Sequence, residues 1–254
     1  MASSEFLTDR RAIGARRLRD LIRSEILRFG RLGQRMESED DLAKRYVVSR
    51  NTVRDALRLL QDEGIVERVQ GAGTIIAVTK FISNLKAARS FDREHGGYHE
   101  ILAIVEISAG PLVASMLEVQ PKSPVYLFER RTIMAGTPVA LWTSYLTPDV
   151  GEKLQQATPR LTGDYFEMLE SLLGERVKGA SLVLEAVITD SELNAVLSIP
   201  VGVPVMRLER TVFTESGRPV DYSFGTFRGD KIAFSTWQAR PDPGDRSDPF
   251  SWPR

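Results

Sequence analysis

The chain has 254 residues, 42% hydrophobic and 27% charged, which is the balance of a globular protein with one large or two modest domains. No apolar run approaches the ~20 residues of a membrane-spanning helix, and the first residues lack the apolar core of a signal peptide. Cysteine is absent, which excludes disulfides and thiolate sites. We therefore expect a cytoplasmic protein without a membrane partner.

The net charge is zero overall but is unevenly divided along the chain. Residues 1–80 contain 16 Lys and Arg against 12 Asp and Glu, a net charge of +4. Residues 81–254 contain 18 against 22, a net charge of −4. A basic N-terminal part followed by an acidic part indicates two domains with different partners.

The N-terminal part shows two helices before residue 47. Helical spacing predicts the first helix over residues 15–29, and Gly30 ends it. Its expected apolar stripe comprises Leu18, Leu21, Ile22 and Ile26. Ser38-Glu39-Asp40-Asp41 is a capping box that predicts a second, short helix through Tyr46.

A third helix follows in the stretch YVVSRNTVRDALRLL, residues 46–60. Its apolar residues recur at helical spacing, and Ser49 occupies the expected N-cap position. Arg50, Arg54 and Arg58 lie four residues apart on another face. The first two lie near the positive end of the helix dipole, which disfavours cations. These arginines either face water only or bind an anion, and for Arg58 the two readings are equally balanced.

Two β-like runs, residues 65–69 and 74–78, flank a hairpin tip at residues 70–73. Helix, helix, turn, helix and a two-stranded wing predict a winged helix-turn-helix over residues 1–78. The third helix of such a domain enters the DNA major groove, and its N-terminal residues contact the bases. Glycines in the wing let its backbone approach the DNA closely. The candidate contacts with double-stranded DNA are Ser49, Arg50, Asn51, Thr52, Arg54, Gln70, Gly71 and Gly73.

VSRNTVRDALRLLQDEGIVERVQGAGT resembles the signature of GntR-family transcription regulators, and the resemblance covers residues 15–78. It implies that Ser49, Arg50, Thr52, Arg54 and Gly71 contact operator DNA. The chain departs from the family before the second helix, where Met36-Glu37-Ser38-Glu39 replaces the usual Leu-Pro-Ser-Glu, and where Asp40 replaces a frequent basic residue. We hypothesise that the second helix contributes less to DNA affinity than usual, or reads a different operator.

Residues 79–99 are interpreted as a linker with a short helix near 82–88, and residues 239–254, rich in proline and charge, as a disordered tail. Residues 100–238 alternate strands with helices near 148–157, 163–173 and 190–197. Within them, LEVQPKSPV at 117–125 resembles LSIPVGVPV at 197–205, and Glu-Arg follows each block at the same distance. This echo predicts two similar β-hairpins related by approximate symmetry.

GntR-type regulators differ in their second domain. One class is all-helical and holds a metal, but the two histidines here, His95 and His99, are separated by Gly96-Gly97, which argues against a helical metal pair. We expect no metal and no cofactor. Another class carries a pyridoxal-phosphate aminotransferase-like domain, which is larger than the part of the chain that follows the winged helix-turn-helix.

The strand-rich pattern instead resembles the UTRA domain of HutC-type regulators, over about residues 85–236. This resemblance implies an α+β protein, in which a winged helix-turn-helix precedes an antiparallel-sheet domain of chorismate-lyase-like fold. In such domains the sheet and its helices enclose a small effector, and the domain makes the homodimer.

Period-two alternation puts Arg130 on one strand face with Tyr126, Phe128, Thr132 and Met134. An arginine among such neighbours is costly unless it is paired. Its partner is either an anionic effector or an internal carboxylate such as Asp221. For Arg210, the symmetry copy, a structural role is favoured.

The family resemblance carries over only in part. UTRA sensors of phosphorylated sugars bind phosphate through two arginines; the first matches Arg130, but the second position is Thr132. The effector is therefore predicted not to be a typical sugar phosphate. The candidate effector-binding residues are Arg130, Thr132, Trp142, Tyr145, Asp164, Phe166, Asp221 and Tyr222. Of these, Tyr145, Phe166 and Tyr222 are candidate pocket walls, although aromatic residues at such positions more often belong to the core.

We predict a DNA-binding transcriptional regulator, expected from the family to be a repressor, whose operator binding responds to a small molecule. One alternative is a ligand-independent regulator whose pocket is closed by Trp142 and Phe128. Another is a chorismate-lyase-like enzyme fused to a DNA-binding domain, against which the absence of a recognisable acid, base or nucleophile arrangement argues.

Overall fold

A computed structural model describes residues 10–78, 80–85, 97–157 and 165–237. The chain divides into two compact units. Among the described residues, the first unit combines those up to Ile82 with residues 227–233, and the second combines those from Ser83 to Thr226 with residues 234–237. None of the described helices is long and apolar enough to cross a membrane.

The first unit is the predicted winged helix-turn-helix. Its helices are α1 (Arg10–Phe29), α2 (Glu39–Tyr46) and α3 (Arg50–Asp62), and its wing is the antiparallel hairpin of β1 (Val66–Val69) and β2 (Gly73–Ile76). The core is built by apolar residues of all three helices and both strands: Leu18, Ile22, Ile26, Leu42, Val53, Ala56, Leu57, Leu60, Ile65, Val66 and Ile76. This core fixes α3 against the two other helices and leaves its arginine face outward.

The apolar stripe of α1 differs from the prediction at one position. Leu18, Ile22 and Ile26 are buried, but Leu21 is 56% exposed and the prediction for it was wrong. Leu21 is about 100° around the helix from Ile22. It therefore lies beside the buried stripe, which Ala15 completes.

The second unit contains a six-stranded sheet in the order β4-β5-β6-β9-β8-β7. Its strands are β4 (Tyr98–Ser108), β5 (Pro124–Met134), β6 (Thr137–Leu146), β7 (Val177–Ile188), β8 (Pro204–Thr214) and β9 (Pro219–Arg228). Its helices are α4 (Pro111–Met116), α5 (Pro148–Ala157), α6 (Tyr165–Leu173) and α7 (Ser191–Leu197). The pairs β4–β5, β5–β6 and β7–β8 are antiparallel, in agreement with the predicted α+β class.

The internal sequence repeat corresponds to structural symmetry in the second unit. The strand order runs inward through β4, β5 and β6 from one edge, and through β7, β8 and β9 from the other. Helix α4 precedes β5 as α7 precedes β8. Even the left-handed backbone is repeated, because φ is 53° at Glu118 and 54° at Ser198.

Two expectations between the elements need correction. The proposed helix near residues 82–88 is wrong at its start, because β3 (Phe81–Asn84) is a strand that pairs with β10 (Ile232–Ser235). The extended conformation is stabilised by this pairing, which no local pattern reveals. Helix α4 was not predicted; it begins with Pro111 after Gly110, a favourable first position for proline. The predicted tail at residues 239–254 lies outside the described residues.

Candidate functional site

The first turn of α3 is fixed by its N-cap. Ser49 has an extended backbone, and its Oγ accepts a hydrogen bond from the backbone N–H of Thr52 at 3.1 Å. The two hydroxyl oxygens, Ser49 Oγ and Thr52 Oγ1, are 2.8 Å apart. The residues predicted to begin the recognition helix therefore begin it, and their hydroxyls hold its first turn.

Three of the predicted DNA contacts come together on the exposed face of α3. The side chains of Arg50 and Arg54 are 59% and 57% exposed. Arg54 donates a hydrogen bond to Asn51 Oδ1 at 3.0 Å. Arg50 lies 3.3 Å from a carboxylate oxygen of Asp40, the residue that departs from the family pattern.

The wing residues Gln70, Gly71 and Gly73 form the exposed hairpin tip between β1 and β2. Both glycines have left-handed backbones, with φ of 80° at Gly71 and 86° at Gly73. Such angles strain other L-residues, so the turn itself requires glycine there. A Cβ at Gly71 would meet no atom within 4 Å among the described residues, so the tip is sterically open.

In the second unit, two buried arginines share two aromatic rings. The guanidinium carbon of Arg130 lies 5.2 Å from the ring centroid of Trp142 and 4.4 Å from that of Tyr165. For Arg210 the corresponding distances are 4.5 Å and 4.6 Å. The rings cover both cations, and Phe166 adds a contact at 5.9 Å from Arg210.

The hydrogen bonds of this cluster are incomplete. Arg210 donates to Asp221 Oδ2 at 2.9 Å, and Ser223 donates to the same oxygen at 3.2 Å. Arg130 donates to Ser144 Oγ at 3.1 Å. Among the described residues, no partner is found for Nε of either arginine or for Oδ1 of Asp221. Buried polar atoms without partners are costly, so this cluster is poised for additional hydrogen bonds.

The electrostatics of the cluster reflect burial and an excess of positive charge. Burial lowers the pKa of Arg130 and the neighbouring Arg210 lowers it further, whereas Tyr165 and Asp221 act in the opposite direction. Burial and the nearby Asp221 raise the pKa of Tyr165 to about 12, which keeps the phenol neutral. His99 is hydrogen-bonded through Nδ1 to Thr132 Oγ1 at 3.0 Å, and burial lowers its pKa to about 3.

The candidate effector residues divide between the two faces of the sheet. Arg130 is paired across the hairpin with Trp142, and opposed residues share a face. Tyr145 is paired with Leu127, which faces the other way. Tyr222 also points away from the arginines: it stacks on Tyr145 at 6.3 Å and its hydroxyl donates to Glu209 at 3.0 Å.

Arg130, Trp142, Phe166 and Asp221 therefore belong to the buried arginine cluster, whereas Tyr145 and Tyr222 do not. The reason is the period-two alternation of a strand, which separates Tyr222 from Asp221 and Tyr145 from Ser144. Thr132 shares the strand face of Arg130 but is hydrogen-bonded to His99. Asp164 lies outside the described residues.

Two members of the cluster, Ser144 and Tyr165, were missed in the sequence. Ser144 is two residues after Trp142 and therefore shares its face, a signal that the alternation contained. Tyr165 begins α6, and only the packing of that helix on the sheet brings its ring to Arg130.

Comparison with known proteins connects both sites to a family. Residues 14–76 match the model of bacterial regulatory proteins of the gntR family, and residues 97–233 match the UTRA domain. The chain is a member of the gntR family with a UTRA domain. This gntR-family chain is 30% identical to the HTH-type transcriptional regulator Rv0792c of Mycobacterium tuberculosis, over 84% of its own length and 80% of the relative's.

Two further comparisons agree. The HTH-type transcriptional repressor NagR of Bacillus subtilis is 24% identical, over 81% of this chain and 86% of the relative. The crystal structure of PhnF from Mycobacterium smegmatis has the same fold, with a TM-score of 0.64 at 22% identity, over 88% of this chain and 100% of PhnF.

This gntR-family protein is thus a DNA-binding transcriptional regulator with an effector-binding domain, and not an enzyme. The described residues contain no group of three or more His, Asp or Glu that could hold a metal ion. His99 lies on strand β4, and His95 falls outside the described residues.

Proposed function

We propose that this regulator is a homodimeric, cytoplasmic repressor whose two α3 helices enter successive major grooves of a palindromic operator, about one DNA turn apart. The proposed contacts on each half-site are Ser49, Arg50, Asn51, Thr52, Arg54, Gln70, Gly71 and Gly73. The exposure of seven of them, with Thr52 half-buried, and the open wing tip support this assignment. The name of the relative NagR supports repression.

The proposed effector is a small anion with a single negative charge. The observation that carries this proposal is the charge of the buried cluster, where two arginines accompany one carboxylate, Asp221. Asp221 is paired with Arg210, and the described residues offer no carboxylate within ion-pair distance of Arg130. A buried charge without a partner is strongly unfavourable, so an anion at Arg130 would gain more than at the surface.

The unused hydrogen-bonding atoms refine the chemical class. The free Nε–H groups of the arginines require acceptors, and the free oxygen of Asp221 requires a donor. A hydroxy acid or a sugar acid supplies both a carboxylate and hydroxyl donors. A phosphate monoester carries nearly two negative charges at neutral pH. This charge is larger than the net charge of +1 that two arginines and one carboxylate give the cluster. Thr132, where a second phosphate-binding arginine is usual, supports the same conclusion.

Binding of the effector would release the operator through its differential affinity for two dimer geometries, one of which does not match the half-site spacing. In the ligand-bound form, we expect the Tyr165 ring to move away from Arg130 and Arg210. An anion must reach the guanidinium groups of these arginines, which the ring now covers.

Calorimetry with three matched probes tests the effector class: gluconate, glucose 6-phosphate and glucose. We expect measurable binding of gluconate only, and its loss in Arg130→Gln. The matched control is Arg131→Gln, because Arg131 faces away and is paired with Glu100. Stronger binding of the phosphate than of the acid would refute the monoanion proposal. The homodimer is tested separately by sedimentation equilibrium of the free protein.

A ligand-independent regulator is the second candidate, and one observation favours it: Trp142 and Tyr165 already cover both guanidinium groups. In that case a library of metabolite acids would leave the thermal unfolding temperature unchanged. At a ligand concentration of 100 Kd, binding would instead stabilise the protein by about 2.7 kcal/mol.

A further inference from the structure

Glu39, the first residue of α2, lies at the centre of an arginine cluster in the DNA-binding unit. Its carboxylate is 3.4 Å from Nε of Arg50 and 4.0 Å from Nε of Arg54, both on the recognition helix. Its other oxygen accepts a hydrogen bond from Arg68 on the wing strand β1 at 2.5 Å. One carboxylate therefore joins α2, α3 and the wing.

Glu39 differs from the arginines in its exposure. Its side chain is only 19% exposed, whereas those of Arg50, Arg54 and Arg68 are 57% to 59% exposed. The carboxylate is thus enclosed beneath three cationic groups that point toward solvent. With Asp40 bound to Arg50, the cluster contains three positive and two negative charges and remains cationic.

We propose that Glu39 is a positioning residue for operator recognition, and that Arg68 is a further DNA contact of the wing. The proposal rests on the proposed docking of α3 in the major groove. Each guanidinium has five N–H donors in a planar fork, so a bond to Glu39 leaves donors free for a phosphate or a guanine. Glu39 orients the fork and does not itself meet the DNA.

The physical reason is conformational entropy. A free arginine side chain has about 2 kcal/mol of rotamer entropy to lose, and immobilising such side chains opposes binding. Glu39 holds Arg50 and Arg68 by hydrogen bonds and lies within ion-pair distance of Arg54, so their ordering before DNA arrives reduces that cost. A bidentate contact with guanine needs a defined fork orientation, whereas a contact with a phosphate tolerates several. Glu39 is therefore expected to act on discrimination between sequences more than on general DNA affinity.

The surroundings of Arg68 are consistent with a DNA backbone contact. Arg68 lines a groove between α2 and the wing together with Arg35, Gln70 and Gly73. The guanidinium of Arg35 approaches the wing closely, since a Cβ on Gly73 would lie 3.5 Å from its Nε. The groove is open to solvent beside the proposed wing tip, and a phosphate there would meet two arginines.

The test uses the full chain and an operator selected by the wild-type protein from random-sequence DNA. Affinities for the operator and for unrelated DNA are measured for Glu39→Gln. We expect the ratio of the two affinities to fall about tenfold, because loss of the negative charge favours both DNAs, whereas loss of arginine orientation weakens binding to the operator only. Glu37→Gln is the matched control, because Glu37 is paired with Arg45 and not with α3.

Two simpler roles give different results. If Glu39 only repels DNA, Glu39→Gln raises both affinities by the same factor and the ratio is unchanged, which overturns the proposal. If Glu39 only stabilises the fold, the unfolding temperature falls and the ratio is again unchanged in the folded fraction. Glu39→Asp keeps the charge with a shorter reach; a wild-type ratio in this variant would show that charge alone suffices and would also overturn the bridging role.

Arg68→Gln tests the wing contact. We expect weaker binding to all sequences and a salt dependence of the affinity that is shallower by about one phosphate contact. An unchanged salt dependence would remove Arg68 from the interface. Arg54→Ala distinguishes a failure of the proposed α3 docking from a failure of the proposed Glu39 role. If it leaves operator binding intact, the docking of α3 is wrong; if it weakens binding while Glu39→Gln keeps the ratio, only the positioning role is wrong.

Discussion

Arg130 and Arg210 occupy equivalent positions in the two halves of the sheet, but Arg210 is paired with Asp221 at 2.9 Å and Arg130 has no such partner among the described residues. The cause is a break in the internal repeat. Pro219-Val220-Asp221 on β9 corresponds to Pro138-Val139-Ala140 on β6, so one copy has a carboxylate where the other has a methyl group. Because of this asymmetry, two buried cations share one carboxylate, which supports the proposed anion-binding site.

Removal of the buried carboxylate should strongly destabilise the second unit. Asp221→Asn leaves Arg210 buried without a charge partner, and loss of one member of a buried pair costs about 3–5 kcal/mol. Denaturant unfolding measures the change. Asp149→Asn is the control, because the exposed pair of Asp149 and Arg218 is worth about 0–1 kcal/mol. Equal effects of the two substitutions would contradict the buried-pair interpretation.

The pH dependence of stability should carry a contribution from His99. Its pKa is lowered from 6.5 to about 3, so the unfolded chain binds a proton between these values and the folded chain does not. The contribution is therefore complete above pH 6.5 and is lost as the pH falls, by about 2 kcal/mol at pH 5. His99→Gln, which cannot titrate, should show a flatter profile. Identical profiles for both proteins would exclude a buried neutral histidine.

Val47, in the turn between α2 and α3, has a strained backbone. Its φ is 54°, a left-handed value that is unfavourable for a β-branched residue, and its side chain is 89% exposed. Val47→Gly should raise stability by about 0.5–1 kcal/mol, since relief of about 1–2 kcal/mol is partly offset by backbone entropy. Thermal unfolding checks this. Val47→Ala retains a Cβ and should gain less; an equal gain would assign the strain to β-branching alone.

Arg54 and Arg58 provide a matched test of the DNA-contact face. Arg54→Ala should weaken operator binding, by about 1–3 kcal/mol if Arg54 binds a guanine bidentately. Arg58, one turn further along α3 and also exposed, should be nearly neutral when changed to alanine. Fluorescence anisotropy over a salt series measures both. Equal losses would indicate a general basic face without a defined docking position.

Asp40 is expected to limit the DNA affinity of this protein. Its carboxylate is 3.3 Å from Arg50 and neutralises part of the DNA-facing charge. Asp40→Arg should therefore strengthen operator binding and steepen its salt dependence by about one contact. Unchanged or weaker binding would refute the hypothesis that α2 contributes less than in relatives. Asp41→Asn is unsuitable as a control, because Asp41 takes part in the N-cap with Ser38.

Local patterns were sufficient to predict the helices and the wing of the DNA-binding unit. The apolar spacing of α3, the cap at Ser49 and the glycines of the wing each have local physical causes, and the structure contains all three. The prediction for Leu21 was wrong because Leu21 lies at the margin of the apolar stripe of α1. A side chain at such a margin is buried or exposed depending on which residues pack against it. The bridging position of Glu39 could not be predicted, since it depends on the approach of α2 to the wing.

In the second unit, the alternation of strand faces and the repeat that relates Arg130 to Arg210 could be predicted from the amino-acid sequence. These follow from the local geometry of a β-strand and from residue identity. The side chains that share a buried face are known only from the folded structure. Tyr165 covers the arginines, Tyr145 and Tyr222 lie on the opposite face of the sheet, and Asp221 pairs with Arg210. These arrangements depend on strand order and helix packing, which arise from contacts between residues far apart in the chain.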